Sequence, residues 1–491
     1  MTDYPPAMPF PLAKEIYREQ RERLASTMRE AFPADSTRHA ALLMAGAEVP
    51  INSTDCNYLF VQESYFNYAF GLEMPDAMGA VLSSGEGIIF IPRLPEDFAT
   101  WMGALPTPDS VCAQTGADEV HYVDELAAVL AAKGVHVLEV LQGQNSDSGL
   151  AVLEASVPPA WLAQGGTVAG AWLYHALSTQ RCYKTAREAE VLRYVCRASS
   201  VAHVEVMRTC RPGMSQHQLE STFLHHAYYH GGCRKVSYTC ICATGHHGAT
   251  LHYPQNDAPV VDGQMALLDM GGNYHGYAAD ITCSFPVNGR FTPTQRVIYD
   301  AVLEAHDRVL RAVRPGVSWV DMHRLAIRTT CEHLIRADVL RGDVDTLMEK
   351  EVMQFFQPHG LGHLLGLDVH DVGGYLADCP ARPTQKDCCK LRTARVLDKG
   401  FYVTIEPGCY FNHVLLTKAL ADPQYACHLN EEKIRGTYWN FGGVRIESDV
   451  LITEDGAINF TLVPRTVEEI EATMAGQAFH KEVETYKNVV Q

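Results

Sequence analysis

Two aspartates between residues 265 and 285 have the clearest potential for chemistry. Asp269 ends one apolar, β-prone run and Asp280 begins another, with a glycine-rich turn segment between them. If residues 273–276 form the tip of a hairpin, the carboxylates face each other across an antiparallel pair, with Cβ atoms roughly 5 Å apart. Like charges in that position repel. The pattern therefore indicates either a proton shared by two acids or two metal ions about 3.5–4 Å apart.

Residues 357–370 add three imidazoles in an otherwise apolar segment. His359 and His363 have the i,i+4 spacing of a helical zinc fork, but a proline and two glycines make a regular helix there unfavourable. The glycines instead favour close backbone approach around a site. We expect one of the three histidines, which include His370, to be a ligand and the others to remain free for substrate.

Two glutamates complete the set of candidate ligands. Glu406 ends a strand-like run before Pro-Gly, and Glu447 follows Arg445 in an alternating strand pattern. Four carboxylates carry a charge that matches two divalent cations, and so many oxygen ligands favour Mn²⁺, Mg²⁺, Co²⁺ or Zn²⁺ over soft ions. An acid protease needs only two carboxylates. The residues therefore predict a two-metal site.

Composition excludes several other classes of protein. The chain has 491 residues, a net charge of -18 and no basic tract, which argues against a nucleic-acid partner. No apolar run is long enough to span a membrane, and residues 1–20 lack the pattern of a secretory signal. The fifteen cysteines have no framework spacing. We therefore expect reduced thiols and a cytoplasmic location.

The N-terminal part reads as a mixed α/β domain with a structural or dimerisation role. Its pattern predicts helices and strands but no cluster of reactive side chains. The predicted helices are 13–30 and 123–133, and the predicted strands are 41–44, 57–60, 87–91 and 135–140.

A long helix predicted from Thr185 marks a change of architecture, and an internal sequence repeat begins there. Two helix–turn–helix units share the turn sequence Arg-Pro-Gly-x-Ser at residues 211–215 and 314–318. A duplicated α/β module with two halves facing each other across a pseudo-two-fold explains the match. Chance recurrence of a good helix stop is the alternative.

Five motifs in order resemble the creatinase/aminopeptidase P/prolidase peptidases, which have the pita-bread fold. They are Asp-Met-Gly-Gly at 269–272, Asp-Ile-Thr-Cys-Ser-Phe at 280–285, Pro-His-Gly-Leu-Gly-His at 358–363, Thr-Ile-Glu-Pro-Gly at 404–408 and Gly-Val-Arg-Ile-Glu at 443–447. The likeness continues at 60–66, 92–95, 99–103 and 463–472. It implies an α/β (α+β) chain with a smaller N-terminal domain at 1–184 and a pita-bread catalytic domain, with duplicated halves, at 185–491.

The resemblance also implies the site residues. Asp269, Asp280, His363, Glu406 and Glu447 would bind two divalent ions, usually Mn²⁺, with Co²⁺ or Zn²⁺ possible and with Asp280 and Glu447 bridging. The residues expected around the substrate are Tyr238, His252, His370, Arg392 and Arg445, with Trp101 of a partner subunit as a weaker candidate. A homodimer is expected on the same basis.

The implied activity is hydrolysis of dipeptides with C-terminal proline by a metal-bridging hydroxide. Glu406 would act as general base and His370 would stabilise the carbonyl oxygen, with His359 as a further catalytic candidate. Arg392 and His252 would bind the substrate carboxylate. Arg445 could instead orient Glu447. The alternatives are an aminopeptidase P acting on longer Xaa-Pro peptides and a non-catalytic partner-binding protein on the same scaffold.

Overall fold

The computed structural model describes Phe10 and residues 12–487, which divide into two compact units. Residues 12–182 form one unit, and Phe10 with residues 183–487 forms the other. Half of the segment that bears on a secretory signal, residues 1–9 and 11, lies outside the described part of the chain. In the described residues no helix combines the length and apolar character that a membrane span requires.

The first unit is a six-stranded mixed sheet with helices packed on it. The helices are α1 Glu15–Ala31, α2 Ser64–Phe70, α3 Ala99–Met102, α4 Pro108–Thr115, α5 Leu126–Ala132, α6 Pro159–Ala163 and α7 Leu173–Cys182; the strands are β1 His39–Met44, β2 Met78–Leu82, β3 Gly87–Ile91, β4 Glu119–Tyr122, β5 Val137–Val140 and β6 Thr167–Ala169. The strands lie in the order β4-β3-β2-β1-β5-β6, and alternate buried side chains of β1, β2, β3 and β5 belong to one hydrophobic cluster.

Most predicted elements of this unit are confirmed, with one clear error. Helix 13–30 is α1, and the strand predictions at 41–44, 87–91 and 135–140 correspond to β1, β3 and β5. The predicted strand at 57–60 is wrong, because only Asn57 makes a single bridge, to Pro50. Tyr58 and Leu59 are 59% and 46% exposed. The run of β-prone apolar residues predicted a strand, but these side chains lie on the surface of an irregular segment.

The second unit contains four long helices and several short, two- to four-stranded sheets. Its helices are α8 Ala186–Thr209, α9 Gln216–Tyr229, α10 Pro293–Ala312, α11 Trp319–Arg336, α12 Val344–Glu349, α13 His413–Ala421, α14 Pro423–Ala426, α15 Glu431–Lys433 and α16 Val467–Met474. Its strands are β7 Lys235–Val236, β8 Ile241–Thr244, β9 Met265–Asp269, β10 Gly272–Tyr274, β11 Tyr277–Ala278, β12 Thr282–Pro286, β13 Tyr402–Ile405, β14 Gly408–Tyr410, β15 Gly443–Arg445, β16 Ser448–Ile452, β17 Gly456–Asn459 and β18 Glu484–Lys487.

Capping residues explain where the long helices begin. Thr185 and Glu188 form a reciprocal capping box at the start of α8, and Thr292 and Gln295 form one at α10, where Pro293 occupies the first turn. The Ser318 hydroxyl accepts a hydrogen bond from the third residue of α11. These boundaries agree with the sequence predictions because each depends on contacts within four residues.

The two Arg-Pro-Gly-x-Ser turns make the same contacts, which confirms the duplication. Gly213 and Gly316 both have positive φ, at 91° and 86°. The Gly213 N–H donates to Val260 O and the Gly316 N–H to Leu397 O, both at 2.9 Å. Each turn serine then forms an isolated bridge with the residue before that acceptor. Chance recurrence of a helix stop does not account for equivalent long-range partners.

Each half also presents the same ladder of strands. In the first half, β9 and β12 pair and the ladder continues through the short hairpin β10–β11. In the second half, β13 and β16 pair and the ladder continues through β14–β15, with residues 411–442 inserted between the short strands. The halves therefore share this ladder and differ in what connects their two short strands and in the strands that flank it.

The predicted hairpin exists, but its register differs from the expectation. The turn residues are His275 and Gly276, both with positive φ, so the centre of the hairpin lies one residue beyond the predicted centre. Asp269 consequently lies opposite Thr282. The two aspartates are diagonal neighbours across the ladder instead of a directly opposed pair.

Candidate metal centre

In each half, two carboxylates lie beside the ends of the paired strands. Asp269 is the last residue of β9, and Asp280 lies two residues before β12. Glu406 follows β13 directly, and Glu447 directly precedes β16. Ile405 pairs with Ser448, and in the same register Glu406 lies opposite Glu447. Duplication of one ladder therefore supplies two pairs of acids.

His363 comes from the irregular segment that lies beside β13. Gly362 permits this approach, since a Cβ there would lie 2.0 Å from Thr404 O. The His363 N–H then donates to Thr404 Oγ1 at 3.0 Å, and Leu364 bridges to Val403. The glycine-rich sequence thus serves close backbone packing, as predicted, and the segment is not helical.

The hydrogen bond of His363 determines which ring nitrogen faces the acids. Its Nδ1 lies 2.9 Å from Leu364 O, and only a protonated nitrogen can donate to that carbonyl. Nε2 is therefore the basic nitrogen. It lies 3.4 Å from Asp280 Oδ2 and 3.6 Å from Glu406 Oε1.

These groups have the composition and spacing of a cation site. Asp280, His363 and Glu447 each offer a ligand atom, and the three atoms lie within 4.8 Å of one another. All three residues are at most 5% exposed. A buried set of carboxylate oxygens with one basic imidazole nitrogen fits hard or borderline divalent ions.

Tyr238 contacts both aspartates, and Arg445 contacts Asp269. The Tyr238 hydroxyl oxygen lies 2.5 Å from Asp269 Oδ1 and 2.6 Å from Asp280 Oδ1. Burial and the two carboxylates raise the pKa of Tyr238 well above its usual value, so the hydroxyl stays protonated and donates. The Arg445 guanidinium donates from Nη2 to Asp269 Oδ2 at 2.6 Å.

Two threonines that the sequence reasoning did not single out contact the glutamates. Thr282 Oγ1 donates to Glu447 Oε2 at 2.6 Å, and Thr404 Oγ1 lies 3.5 Å from Glu406 Oε1. Each threonine is two positions from an acid, in Asp-Ile-Thr and Thr-Ile-Glu. That mirrored spacing is the signal that could have identified them.

Asp449 is a further missed residue, fully buried behind the acids. Its Oδ2 accepts the backbone N–H of Asp280 at 3.1 Å. Burial and the nearby Asp280 raise its pKa well above the usual value. From sequence alone, an aspartate in a strand is expected on the surface. The contact with Asp280 is evident only once the two halves are packed together.

The protonation of the cluster also indicates a cation site. Burial raises the pKa of Asp280 and Glu447 well above their usual values, and neighbouring acids add to the shift. Burial likewise raises the pKa of Glu406 to about 7. Buried carboxylates that repel one another require a countercharge, and divalent cations supply it.

The metal-free protein should therefore lose stability as pH rises from 4.5 to about 7. Because the pKa of Glu406 is higher in the folded than in the unfolded chain, the folded state binds more protons in that window. Its stabilising contribution is full below the unfolded pKa and disappears as pH passes the folded one. This residue accounts for on the order of 3 kcal/mol.

Urea unfolding of chelated and Mn²⁺-loaded protein at a series of pH values measures this effect. The stabilisation by Mn²⁺ should grow steadily between pH 4.5 and 7, because the cations replace the lost protons. Comparing the two forms at one pH cancels titrations elsewhere in the chain. A Mn²⁺ effect that is constant with pH would contradict the buried-acid account.

His370, His252 and Arg392 lie near one another beside the acid cluster. The ring of His370 meets that of His363 edge to face, with centroids 4.6 Å apart. Burial lowers the pKa of His370 to about 2, with contributions from His363, Arg392 and His252. A neutral imidazole near two other donors suits an anionic or carbonyl group of a ligand.

Arg445 and His359 both make hydrogen bonds to neighbouring groups of the protein. Arg445 is 3% exposed and donates to Asp269, to Tyr410 Oη and to Thr282 Oγ1, and its contact with a substrate stays a prediction. His359 Nδ1 lies 2.7 Å from Gly360 O and its Nε2 2.9 Å from Tyr410 Oη. Its catalytic role therefore stays a prediction.

Trp101 lies in the other unit, on the short helix α3. Its side chain is 84% exposed. A large exposed indole agrees with a role at a partner's surface, but the contact with a partner's site stays a prediction.

Two family models match the chain. The model described as "Metallopeptidase family M24" matches residues 190–454, and "Aminopeptidase P, N-terminal domain" matches residues 17–137. The chain belongs to metallopeptidase family M24. The resemblance drawn from the motifs, the order of the two domains and the fold class are therefore confirmed, and the protein is a metal-dependent hydrolase.

Individual relatives are similar over nearly the whole chain. The "Xaa-Pro dipeptidase" of Rattus norvegicus is 45% identical over 473 residues, which cover 95% of this chain and 94% of the relative. The Homo sapiens protein of that description is 44% identical, with the same coverage. A zinc-substituted Escherichia coli aminopeptidase P in complex with product has a TM-score of 0.75 at 30% identity, covering 95% of this chain and 99% of the other.

Proposed function

We propose that this protein is an Xaa-Pro dipeptidase that hydrolyses dipeptides with C-terminal proline and uses two divalent cations. The observation that carries the proposal is the cluster of four carboxylates and the basic Nε2 of His363 where the two duplicated ladders meet. The set is complete, which disfavours a non-catalytic binding protein on this scaffold. The relatives described as Xaa-Pro dipeptidases support the substrate class.

Asp269, Asp280, His363, Glu406 and Glu447 are the proposed ligands, and Mn²⁺ is the proposed ion. Bound cations would supply Lewis acidity and an activated water at neutral pH. The chain's own residues orient the ligands: Tyr238 and Arg445 hold the aspartates, and Leu364 O fixes the imidazole tautomer. Glu406 is the proposed proton acceptor, since its carboxylate lies between His363 and His359.

The other side of the site suits the proline end of a dipeptide. His370 is neutral and can donate to the scissile carbonyl oxygen, whose charge grows during the reaction. Arg392 and His252 lie close enough to influence His370, so a free carboxylate one residue beyond the scissile bond can reach them. A fork of guanidinium donors binds a carboxylate more specifically than a single charge does.

Replacing Arg392 with alanine should raise KM for Gly-Pro about 100-fold while changing that for Gly-Pro amide by less than about threefold. Loss of a charge-assisted pair to the carboxylate removes roughly 2–3 kcal/mol of binding. The measurement is steady-state kinetics on both substrates. Arg395→Ala is the control, because that guanidinium donates to Gly373 O in the same segment. Equal effects of Arg392→Ala on the two substrates would contradict carboxylate binding.

A direct assay separates the proposed activity from its nearest alternative. Chelated protein should be inactive on Gly-Pro, and Mn²⁺ should restore activity. Gly-Pro-Gly should be cleaved far more slowly than Gly-Pro, because its additional residue displaces the carboxylate from Arg392. Preferential cleavage of the tripeptide would instead identify an aminopeptidase P. That alternative rests on a Botryotinia fuckeliana relative described as "Probable Xaa-Pro aminopeptidase pepP", which is 34% identical over 465 residues and covers 94% of this chain and 96% of the relative.

The remaining expectations belong to the same proposal. Domains at 1–184 and 185–491 would act as a dimerisation and rim domain and a catalytic domain, with Trp101 reaching the partner's site in a homodimer. A cytoplasmic location agrees with fifteen free cysteines. Nucleic acid and membranes are not expected partners of a chain with net charge -18.

A further inference from the structure

A buried arginine near the end of the chain joins the backbones of the two halves behind the proposed ligands. Arg465 is 6% exposed. Its Nη1 donates to Thr282 O at 2.7 Å, and its Nη2 donates to Glu447 O and, at 3.0 Å, to Ser448 Oγ. Thr282 belongs to the first half, and the other two acceptors belong to the second.

The backbone of Arg465 is itself held in place by hydrogen bonds to other side chains. Its backbone N–H donates to Glu469 Oε2 at 2.9 Å, and its carbonyl accepts from Tyr299 Oη at 2.7 Å. Ser448 Oγ is also 3.0 Å from Nε2 of His306 on α10. The backbone of Arg465 and its acceptor Ser448 are therefore both held by other residues. The side chain can thus fix the position of the strands relative to the helices.

The contact matters because Asp280 and Glu447 come from different halves. Each half folds as its own ladder, and neither ladder by itself determines the separation of these two acids. Between the strands that carry them, the Glu447 N–H donates to Thr282 O at 3.2 Å. The same Thr282 carbonyl accepts from Arg465, so the arginine reinforces a direct hydrogen bond between the two halves.

We propose that Arg465 is a positioning residue that sets the spacing of Asp280 and Glu447 and thereby the binding of the second cation. The inference rests on the proposed two-cation function. It acts through backbone carbonyls, so it requires no contact between the arginine and an ion or substrate. Residues that orient ligands in this way typically change metal affinity 10–100-fold when replaced.

The planar guanidinium is essential to this role. Two nitrogens at a fixed separation donate to carbonyls of the two halves at once, whereas a lysine ammonium is a point charge on a flexible stem. Arg465→Lys should therefore retain the buried charge but only part of the effect. Arg465→Met removes the donors while keeping an unbranched apolar stem.

The experiment compares wild type, Arg465→Met, Arg465→Lys and the control Arg21→Met. Arg21 is also buried and donates to two backbone carbonyls, those of Ala69 and Gly116, but it lies in the first unit. Mn²⁺ binding is measured by equilibrium dialysis, and electron paramagnetic resonance distinguishes coupled pairs of Mn²⁺ from isolated ions. Circular dichroism checks folding, and Arg465→Lys carries the comparison if Arg465→Met does not fold.

We expect Arg465→Met to bind the first ion as wild type does, to bind the second at least tenfold more weakly, and to lose the coupled spectrum. Arg465→Lys should lie between, and Arg21→Met should match wild type. A wild-type-like second ion and coupled spectrum in both Arg465 variants would overturn the proposal, as would an equal loss in Arg21→Met. Absence of a coupled pair in wild type would instead refute the two-cation function itself.

Discussion

Replacing Asp280 with asparagine should lower kcat/KM for Gly-Pro by about 1,000-fold, equivalent to roughly 4 kcal/mol of transition-state stabilisation. Asparagine keeps the shape of the aspartate side chain, and the backbone N–H of residue 280 can still donate to Asp449. The substitution removes the carboxylate that lies 3.4 Å from His363 Nε2 and that would supply negative charge to a bound cation. We therefore expect fewer than two Mn²⁺ ions per chain.

Stability measurements distinguish this loss from misfolding. Burial raises the pKa of Asp280 well above its usual value, so its ionised form is unfavourable in the metal-free protein. Metal-free Asp280→Asn should consequently be at least as stable as metal-free wild type at neutral pH. Asp300→Asn, on the exposed face of α10, is the matched control and should change neither metal content nor activity. Two bound ions with turnover within tenfold of wild type would exclude Asp280 as a ligand.

Replacing Arg445 with methionine should destabilise the metal-free protein by about 3–5 kcal/mol, because it leaves the buried carboxylate of Asp269 without its cation. The variant also loses the donors to Tyr410 and Thr282. Activity should fall about 10–100-fold, through poorer orientation of Asp269 and of Glu447, which Thr282 contacts.

Metal dependence identifies the cause of this destabilisation. Bound Mn²⁺ would supply a new countercharge for Asp269, so the difference in urea unfolding between Arg445→Met and wild type should shrink on loading. Arg296→Met is the control, since that arginine is 51% exposed and its ion pairs contribute little. A variant of normal stability that shows only a raised KM would instead support the substrate contact predicted for Arg445.

The hairpin of the first half shows how far local sequence reasoning extends. Asn273 and Gly276 correctly marked a hairpin, yet the turn uses His275 and Gly276, and the Asn273 side chain instead bonds Gly276 through both its oxygen and its nitrogen. This one-residue shift of the centre places Thr282 opposite Asp269. Register depends on which residues adopt positive φ, and several residues of that segment were eligible.

In the second half, too, the candidate ligands followed from the sequence, but their arrangement did not. The identity of Glu406 and Glu447 as candidate ligands followed from motifs that place each acid at the end of a strand. Their pairing across one ladder did not, because residues 411–442 separate the two short strands along the chain. The roles of Thr282, Asp449 and Arg465 were likewise hidden, since each contacts residues more than fifteen positions away.

The amino-acid sequence by itself determined the starts of the long helices, the duplicated turns and the chemical types of the candidate ligands, because caps, turns and motif spacing act within a few residues. Tertiary structure alone decided how Asp280, His363 and Glu447 converge within 4.8 Å and which nitrogen of His363 faces the acids. It also decided that Arg445 serves Asp269. The physical reason is that burial, repulsion and long-range hydrogen bonds exist only once the two halves pack together.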